Sequence, residues 1–140
     1  MNNIELFNGI TGKVFAELYQ SFPVEAEINL TGYLEDFIAV DDYEGAWEFP
    51  EMTKATIKWL DKAGYIWLTS PQSYGGSYKA TLTPKGLEIL KQTPNSIEPT
   101  SSIGEKIVEF SKNKFSDGMN EIVKTAISEG IKFAWHSSST

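Results

Sequence analysis

The sequence predicts an α+β fold that is mainly α: three helices, a β-hairpin and a short helix, followed by further helices at the C-terminus. Three observations lead to this prediction. Apolar residues recur every three or four positions over most of the chain, as in amphipathic helices. Residues 65–83 are instead rich in β-forming residues on either side of a Gly- and Ser-containing centre. Pro, Gly and capping residues mark the ends of the helical segments.

The first 50 residues predict two helices and a loop. Residues 4–19 have helical spacing, and the predicted helix ends at Phe22-Pro23 because the residue before Pro is disfavoured in the helical conformation. A second, short amphipathic segment is expected over residues 33–40. The acidic run 41–50 contains Gly and Pro and is predicted to be a loop.

A third helix is predicted from Pro50, which suits a first helical position, to Gly64, which supplies a left-handed cap. Its polar side carries three lysines within an arc of about 80°. Its expected apolar side consists of Met52, Ala55, Thr56, Trp59, Leu60 and Ala63.

A β-hairpin should follow directly, with strands at residues 65–69 and 78–83 and a turn-rich tip between them. Residues 84–90 predict a short helix, with Thr83 as its N-cap and Pro84 at its first position. The core is expected to run from about Leu6 to Leu90, within a domain of residues 1–92.

The rest of the chain predicts a polar linker and a helical segment. The linker, residues 93–102, contains two Pro, and Ser102 forms a capping box with Glu105. Residues 103–136 place apolar residues at helical spacing, and Ser116-Asp-Gly118 divides them into two helices. This apolar stripe is expected to pack on its own domain or on a second copy. Residues 136–140 are expected to be a frayed polar tail.

Composition argues against an enzyme. The chain has no Cys and a single His, His136, which excludes thiolate metal sites, a Cys nucleophile and an ordinary His relay. Phosphate-binding Gly motifs and EF-hand spacing are absent from the sequence, so no catalytic residue, cofactor or metal is expected. The N-terminus lacks a secretory signal and no long apolar run is present, so we expect a cytoplasmic protein without a membrane partner.

Charge is distributed unevenly along the 140 residues, whose net charge is −7. Residues 1–50 carry ten acids and one Lys, a net charge of −9. Residues 51–96 carry three acids and six Lys, a net charge of +3, and residues 97–140 are close to neutral. All twelve cations are Lys. The absence of Arg removes the side chain that most often reads guanine.

Two runs resemble winged-helix proteins. Residues 57–66, IKWLDKAGYI, look like a recognition helix passing into the first wing strand, and residues 80–90, ATLTPKGLEIL, look like the second wing strand and the helix after it in bacterial winged-helix regulators. The segments Phe22-Pro-Val and Ile103-Gly-Glu are similar to an uncharacterised group of bacterial winged-helix proteins. The resemblance covers roughly residues 4–92. It implies a winged helix-turn-helix fold, transcription regulation by DNA binding, and a homodimer through the added C-terminal helices.

For a DNA-binding protein, the third helix is expected to enter the major groove of double-stranded DNA. The expected DNA-contacting residues are Thr53, Lys54, Lys58, Lys62, Tyr74 and Lys79, with Tyr74 and Lys79 in the wing. Two features depart from the regulator pattern: the loop before the third helix is long, and the wing tip carries no cation. The lysines could also form an ordinary solvated helix face, and Tyr74 could cover the hairpin end.

The alternative is a non-catalytic protein–protein interaction module on the same scaffold. The charge of −9 in residues 1–50 would repel DNA and attract a basic protein partner. Its contact surface would be the acidic first third of the chain or the C-terminal helices.

Overall fold

A computed structural model describes residues 1–70, 75–93 and 101–138 of the chain. These ranges contain six helices and a three-stranded antiparallel sheet in the order β1-β3-β2, so the fold is α+β and mainly helical. In chain order the elements are α1 (Asn3–Ser21), β1 (Ala26–Asn29), α2 (Leu34–Phe37), α3 (Tyr43–Lys62), β2 (Ile66–Leu68), β3 (Ser77–Leu82), α4 (Pro84–Lys91), α5 (Ile103–Ser111) and α6 (Asp117–Ser138).

Helix ends that depend on local signals lie close to where the sequence predicts them. The helix α1 ends at Ser21, before Phe22 and Pro23. The Thr83 hydroxyl caps α4 by accepting from the Gly86 nitrogen at 3.0 Å, and Pro84 is the first helical residue. Ser102 and Glu105 form the predicted capping box of α5. These predictions are confirmed. The two caps could be recognised in the sequence because each joins residues only three positions apart.

The start of α3 was predicted wrongly. Residues 43–50 are not a loop: α3 begins at Tyr43, and Asp42 caps it by accepting from the Gly45 nitrogen at 2.9 Å. Pro50 lies inside the helix, where it removes one backbone hydrogen bond at a cost of about 3 kcal/mol. That cost is offset by packing, since the fully buried Phe49 ring stacks on Phe37 at 5.9 Å between ring centroids.

The strand β1 was missed. It pairs with β3, with Ile28 opposite Tyr78 and Glu27 opposite Lys79, and turns the predicted hairpin into a three-stranded sheet. A strand of four residues with one buried side chain has little sequence signal of its own. The helix α2 is also shorter than residues 33–40 and amounts to a single turn.

The hairpin itself is confirmed. Its strands pair antiparallel, with Ile66 opposite Leu82 and Leu68 opposite Ala80. Gly75 and Gly76, on the way into β3, have φ angles of +60° and +80°, which favour glycine. The tip residues 71–74 lie outside the described residues.

The buried face of α3 is rotated relative to the predicted one. Ile57 is fully buried, whereas Ala55 is exposed and Trp59 is 45% exposed. The reason is that Phe49 and Ile57 belong to the buried side, and at about 100° per residue they share one face with Thr53 and Leu60. The buried residues are Phe49, Thr53, Thr56, Ile57 and Leu60.

The C-terminal helices α5 and α6 pack on α1 and α4 and contribute to the same hydrophobic core. Close approach is possible because Gly12 of α1 lies against the Met119 side chain and Gly104 of α5 lies against the Tyr19 ring. Lys13 Nζ donates to the Ser111 oxygen at 2.6 Å and ion-pairs with Asp36 at 3.1 Å. The buried residues contributed by α5 and α6 are Ile103, Gly104, Ile107, Met119, Ile122, Val123, Ala126 and Gly130.

The predicted linker and tail are described only in part. Residues 94–100 lie outside the described residues. The Ile103 nitrogen donates to the Gln92 oxygen at 2.8 Å, so the start of α5 lies beside the end of α4. The residues predicted as a frayed tail from His136 to Ser138 belong to α6 instead. The apolar stripe of this segment packs within the chain as far as Ile127, whereas Ile131 is 63% exposed, and dimerisation through α5 and α6 stays a prediction.

Candidate binding surface on α3

The lysine stripe of α3 lies on the side of the helix opposite its buried residues. Lys58 and Lys62 are exposed and Lys54 is half-buried. Within the described residues none of the three ammonium groups has a carboxylate within ion-pair distance. Asp61, which the sequence places among them, instead accepts from the Leu68 nitrogen at 3.2 Å and so links α3 to β2. Among the residues that the structure describes, the stripe is therefore a row of cations without an ion-pair partner.

Thr53 does not belong to this surface. Its side chain is fully buried, and its hydroxyl has no hydrogen-bond partner among the described residues. The expectation that Thr53 contacts DNA is corrected, because position 53 lies on the same buried face of α3 as Phe49 and Leu60.

The hairpin contributes less cationic surface than expected. Lys79 is exposed, but the pairing of β1 with β3 places Glu27 directly opposite it. A second acid of this edge, Glu25, accepts a hydrogen bond from the Thr69 hydroxyl. Opposite charges at facing positions of a sheet attract each other, so β1 partly neutralises Lys79. Tyr74 lies outside the described residues.

The first half of α3 is acidic and displays aromatic rings. Tyr43 is 81% exposed and Trp47 is 87% exposed, one helical turn apart on the same side of the helix. The acids on this half and in the turn before it are all exposed: Asp41, Asp42, Glu44, Glu48 and Glu51. This surface was missed because Gly45 and Pro50 suggested a loop. The spacing of Phe49, Thr53 and Thr56 is the sequence signal that could have revealed the helix.

A cation at the C-terminal end of α3 is fixed in place. Lys85 Nζ donates to the Ala63 oxygen at 2.7 Å and lies 4.4 Å from the centroid of the Tyr65 ring. Burial lowers the pKa of Lys85. Its ammonium group therefore donates a hydrogen bond to a carbonyl at the negative end of the helix dipole. It does not extend the lysine stripe.

A shallow apolar groove runs along the other edge of α3, between it and the start of α1. Trp59 packs edge-on against Phe7 at 5.2 Å between ring centroids and stacks on Tyr65 at 6.1 Å. The groove is lined by Asn3, Ile4, Phe7, Met52, Ala55, Thr56 and Trp59. Apart from Asn3 and Thr56 its walls are apolar, so it offers contact area and few groups for polar chemistry.

The described part of the chain contains neither a metal-binding cluster nor a membrane-spanning helix. No group of three His, Asp or Glu side chains there is placed to hold a metal ion. No helix among those residues is long and apolar enough to cross a membrane. No protein-family model, curated protein or solved structure matches the sequence.

Proposed function

We propose that the chain is a winged-helix domain extended by C-terminal helices, and that it acts as a non-catalytic module binding another protein through the exposed face of α3. Two features support the fold assignment. The β2–β3 hairpin follows the third helix directly, as the winged-helix resemblance implies. The three helices before the hairpin and the short helix after it are in the expected order.

The exposure of Tyr43 and Trp47 carries the functional proposal. Large aromatic side chains are enriched at protein interfaces, where burying them contributes much of the binding energy. On this helix both rings stand in solvent on the same side, and Trp47 is 87% exposed. Such rings are the expected anchors of a protein contact.

Charge favours a protein over DNA at this end of α3. In helix-turn-helix proteins the N-terminal residues of the recognition helix approach the base edges, between two rows of phosphates. Here that end carries Asp42, Glu44 and Glu48, all exposed. These carboxylates would be repelled by phosphates and would attract a basic surface.

The proposal is tested with Trp47→Ser in the full-length chain. Immobilised wild-type protein should retain a partner from an extract of the cells that make it, and the partner is then purified and its binding measured directly. We expect Trp47→Ser to weaken that binding at least about tenfold, as for an aromatic anchor. The matched control is Trp67→Ser, which removes an exposed ring from β2 and should bind as wild type does. Equal retention by all three proteins would contradict this role of α3.

DNA binding by a transcriptional regulator is the second candidate, favoured by the row of Lys54, Lys58 and Lys62, which have no ion-pair partner in the described part of the chain. Fluorescence anisotropy with random-sequence duplex DNA tests it at low and physiological salt. If these lysines contact phosphates, binding should weaken steeply with salt and disappear in the triple Lys→Ala variant. Lys112→Ala/Lys114→Ala, which removes exposed lysines at the end of α5, is the control. Absence of binding even at low salt would eliminate this candidate.

A further inference from the structure

The exposed face of α3 carries three acids in its first half and three lysines in its second half. At about 100° per residue, all six fall within an arc of about 120° around the helix. They are Glu44, Glu48, Glu51, Lys54, Lys58 and Lys62. This face is neutral as a whole, although the chain has a net charge of −7.

Two of the three acid–lysine pairs are placed symmetrically about position 53, and Glu51 and Lys54 lie two residues before it and one residue after it. Glu44 and Lys62 lie nine residues to either side of position 53, and Glu48 and Lys58 lie five residues to either side. Two copies of α3 laid antiparallel about an axis at this level would bring the acidic half of each helix over the lysine half of the other. A two-fold interface requires this kind of self-complementarity, since the same patch must serve both sides.

We propose that the protein partner bound by this face is a second copy of the chain, through an antiparallel pair of α3 helices. This inference rests on the proposed protein-binding function and identifies its partner. Charge complementarity carries it: the lysines have no ion-pair partner within the described residues, and the three acids are exposed.

Apolar side chains are placed to support the contact. Ala55 is exposed close to the middle of the face, and a small side chain there lets two helices approach closely. With the axis at position 53, Trp47 would lie within one residue of the level of Lys58 of the second copy, where a ring and an ammonium group attract each other. Trp59 and Met52, which line the groove between α1 and α3, flank the same face and add apolar area.

The arrangement has two consequences. A single pair of helices covers less area than the roughly 1,600 Å² of a typical stable interface, so the dimer is weak and forms only at high protein concentration. The pairing also covers the lysine stripe, so dimer formation and DNA binding through the same lysines exclude each other.

Sedimentation velocity of the full-length chain, from low micromolar to near-millimolar concentration, tests the dimer. Two variants reverse charges in the middle of the helix, away from its dipolar ends: Glu48→Lys/Glu51→Lys and Lys54→Glu/Lys58→Glu. Each should raise the dissociation constant at least about tenfold, because like charges then meet across the axis. An equimolar mixture of the two should dimerise again, since a mainly lysine face then meets a mainly acidic one.

Controls with the same change of net charge are available on α5 and α6. Glu109→Lys/Glu121→Lys and Lys124→Glu/Lys132→Glu alter exposed side chains and should dimerise as wild type does. Circular dichroism checks that each variant is folded. A wild type that stays monomeric, or reversed variants that dimerise like the controls, would overturn the homodimer. If a monomeric wild type still retains a different protein that Trp47→Ser does not, the homodimer fails and the protein-binding function stands.

Discussion

At the scale of single residues, two threonines that look alike in the sequence differ in the hydrogen bonding of their buried hydroxyl groups. Thr53 and Thr56 are both buried in α3, but only the Thr56 hydroxyl has a partner, the Met52 oxygen at 2.8 Å. The Thr53 hydroxyl has none among the described residues. A buried polar group without a hydrogen bond loses its hydration without compensation, so Thr53 destabilises the fold at this position.

Thr53→Val should therefore stabilise the protein, by about 1 kcal/mol in the free energy of unfolding. Valine has nearly the same shape, remains β-branched and brings no unpaired oxygen. Urea denaturation followed by circular dichroism measures the change. Thr56→Val on the same helix is the control and should give no gain, because it removes a hydroxyl that is already paired. A loss of stability in Thr53→Val would show that its hydroxyl is satisfied in solution.

At the scale of elements, the exposed surface of α3 depends on where that helix begins. If it began at Pro50, Tyr43 and Trp47 would belong to a loop and the acids would have no fixed relation to the lysines. The helical start depends on Asp42 and on the packing of Phe49 against Phe37. The proposed protein binding and the proposed antiparallel dimer thus share one structural premise, that the helix α3 begins at Tyr43.

Asp42→Ala tests this premise. Removing an N-cap carboxylate leaves the Gly45 nitrogen without its acceptor and should cost about 1 kcal/mol of stability. Hydrogen exchange should also become faster at the amides of the first two turns. Asp41→Ala is the control, since Asp41 is exposed and has no side-chain hydrogen bond within the described residues. If the two variants unfold at the same urea concentration, α3 does not begin at Tyr43.

At the scale of the whole molecule, α6 is joined to the sheet and α3 through Tyr65. This residue lies three positions after the end of α3, and its hydroxyl donates to the Ile127 oxygen at 2.9 Å. Burial raises the pKa of Tyr65, so the group stays protonated and remains a donor at mildly alkaline pH. One side chain thus connects the predicted domain of residues 1–92 to its C-terminal segment.

Tyr65→Phe should lower the free energy of unfolding by about 1 kcal/mol, the usual contribution of such a hydrogen bond. The loss should be the same at neutral and mildly alkaline pH, because the donor does not ionise in that range. Tyr78→Phe is the control: its hydroxyl is buried with no partner among the described residues, so its removal should cost nothing. Equal losses in the two variants would mean that the Ile127 contact does not contribute.

The sequence by itself determined the helices whose ends are set by local signals, the β2–β3 hairpin and the position of the lysine stripe. Caps at Thr83 and Ser102 and the break before Pro23 act over a few residues, so they can be recognised without knowing the rest of the fold.

Only the tertiary structure decided the rest. Pairing with β3 makes β1 a strand, and the packing of Phe49 on Phe37 extends α3 through Pro50. On the extended helix Thr53 is buried, and Tyr43 and Trp47 are exposed. These outcomes depend on contacts between residues distant in the chain, whose energies exceed local preferences.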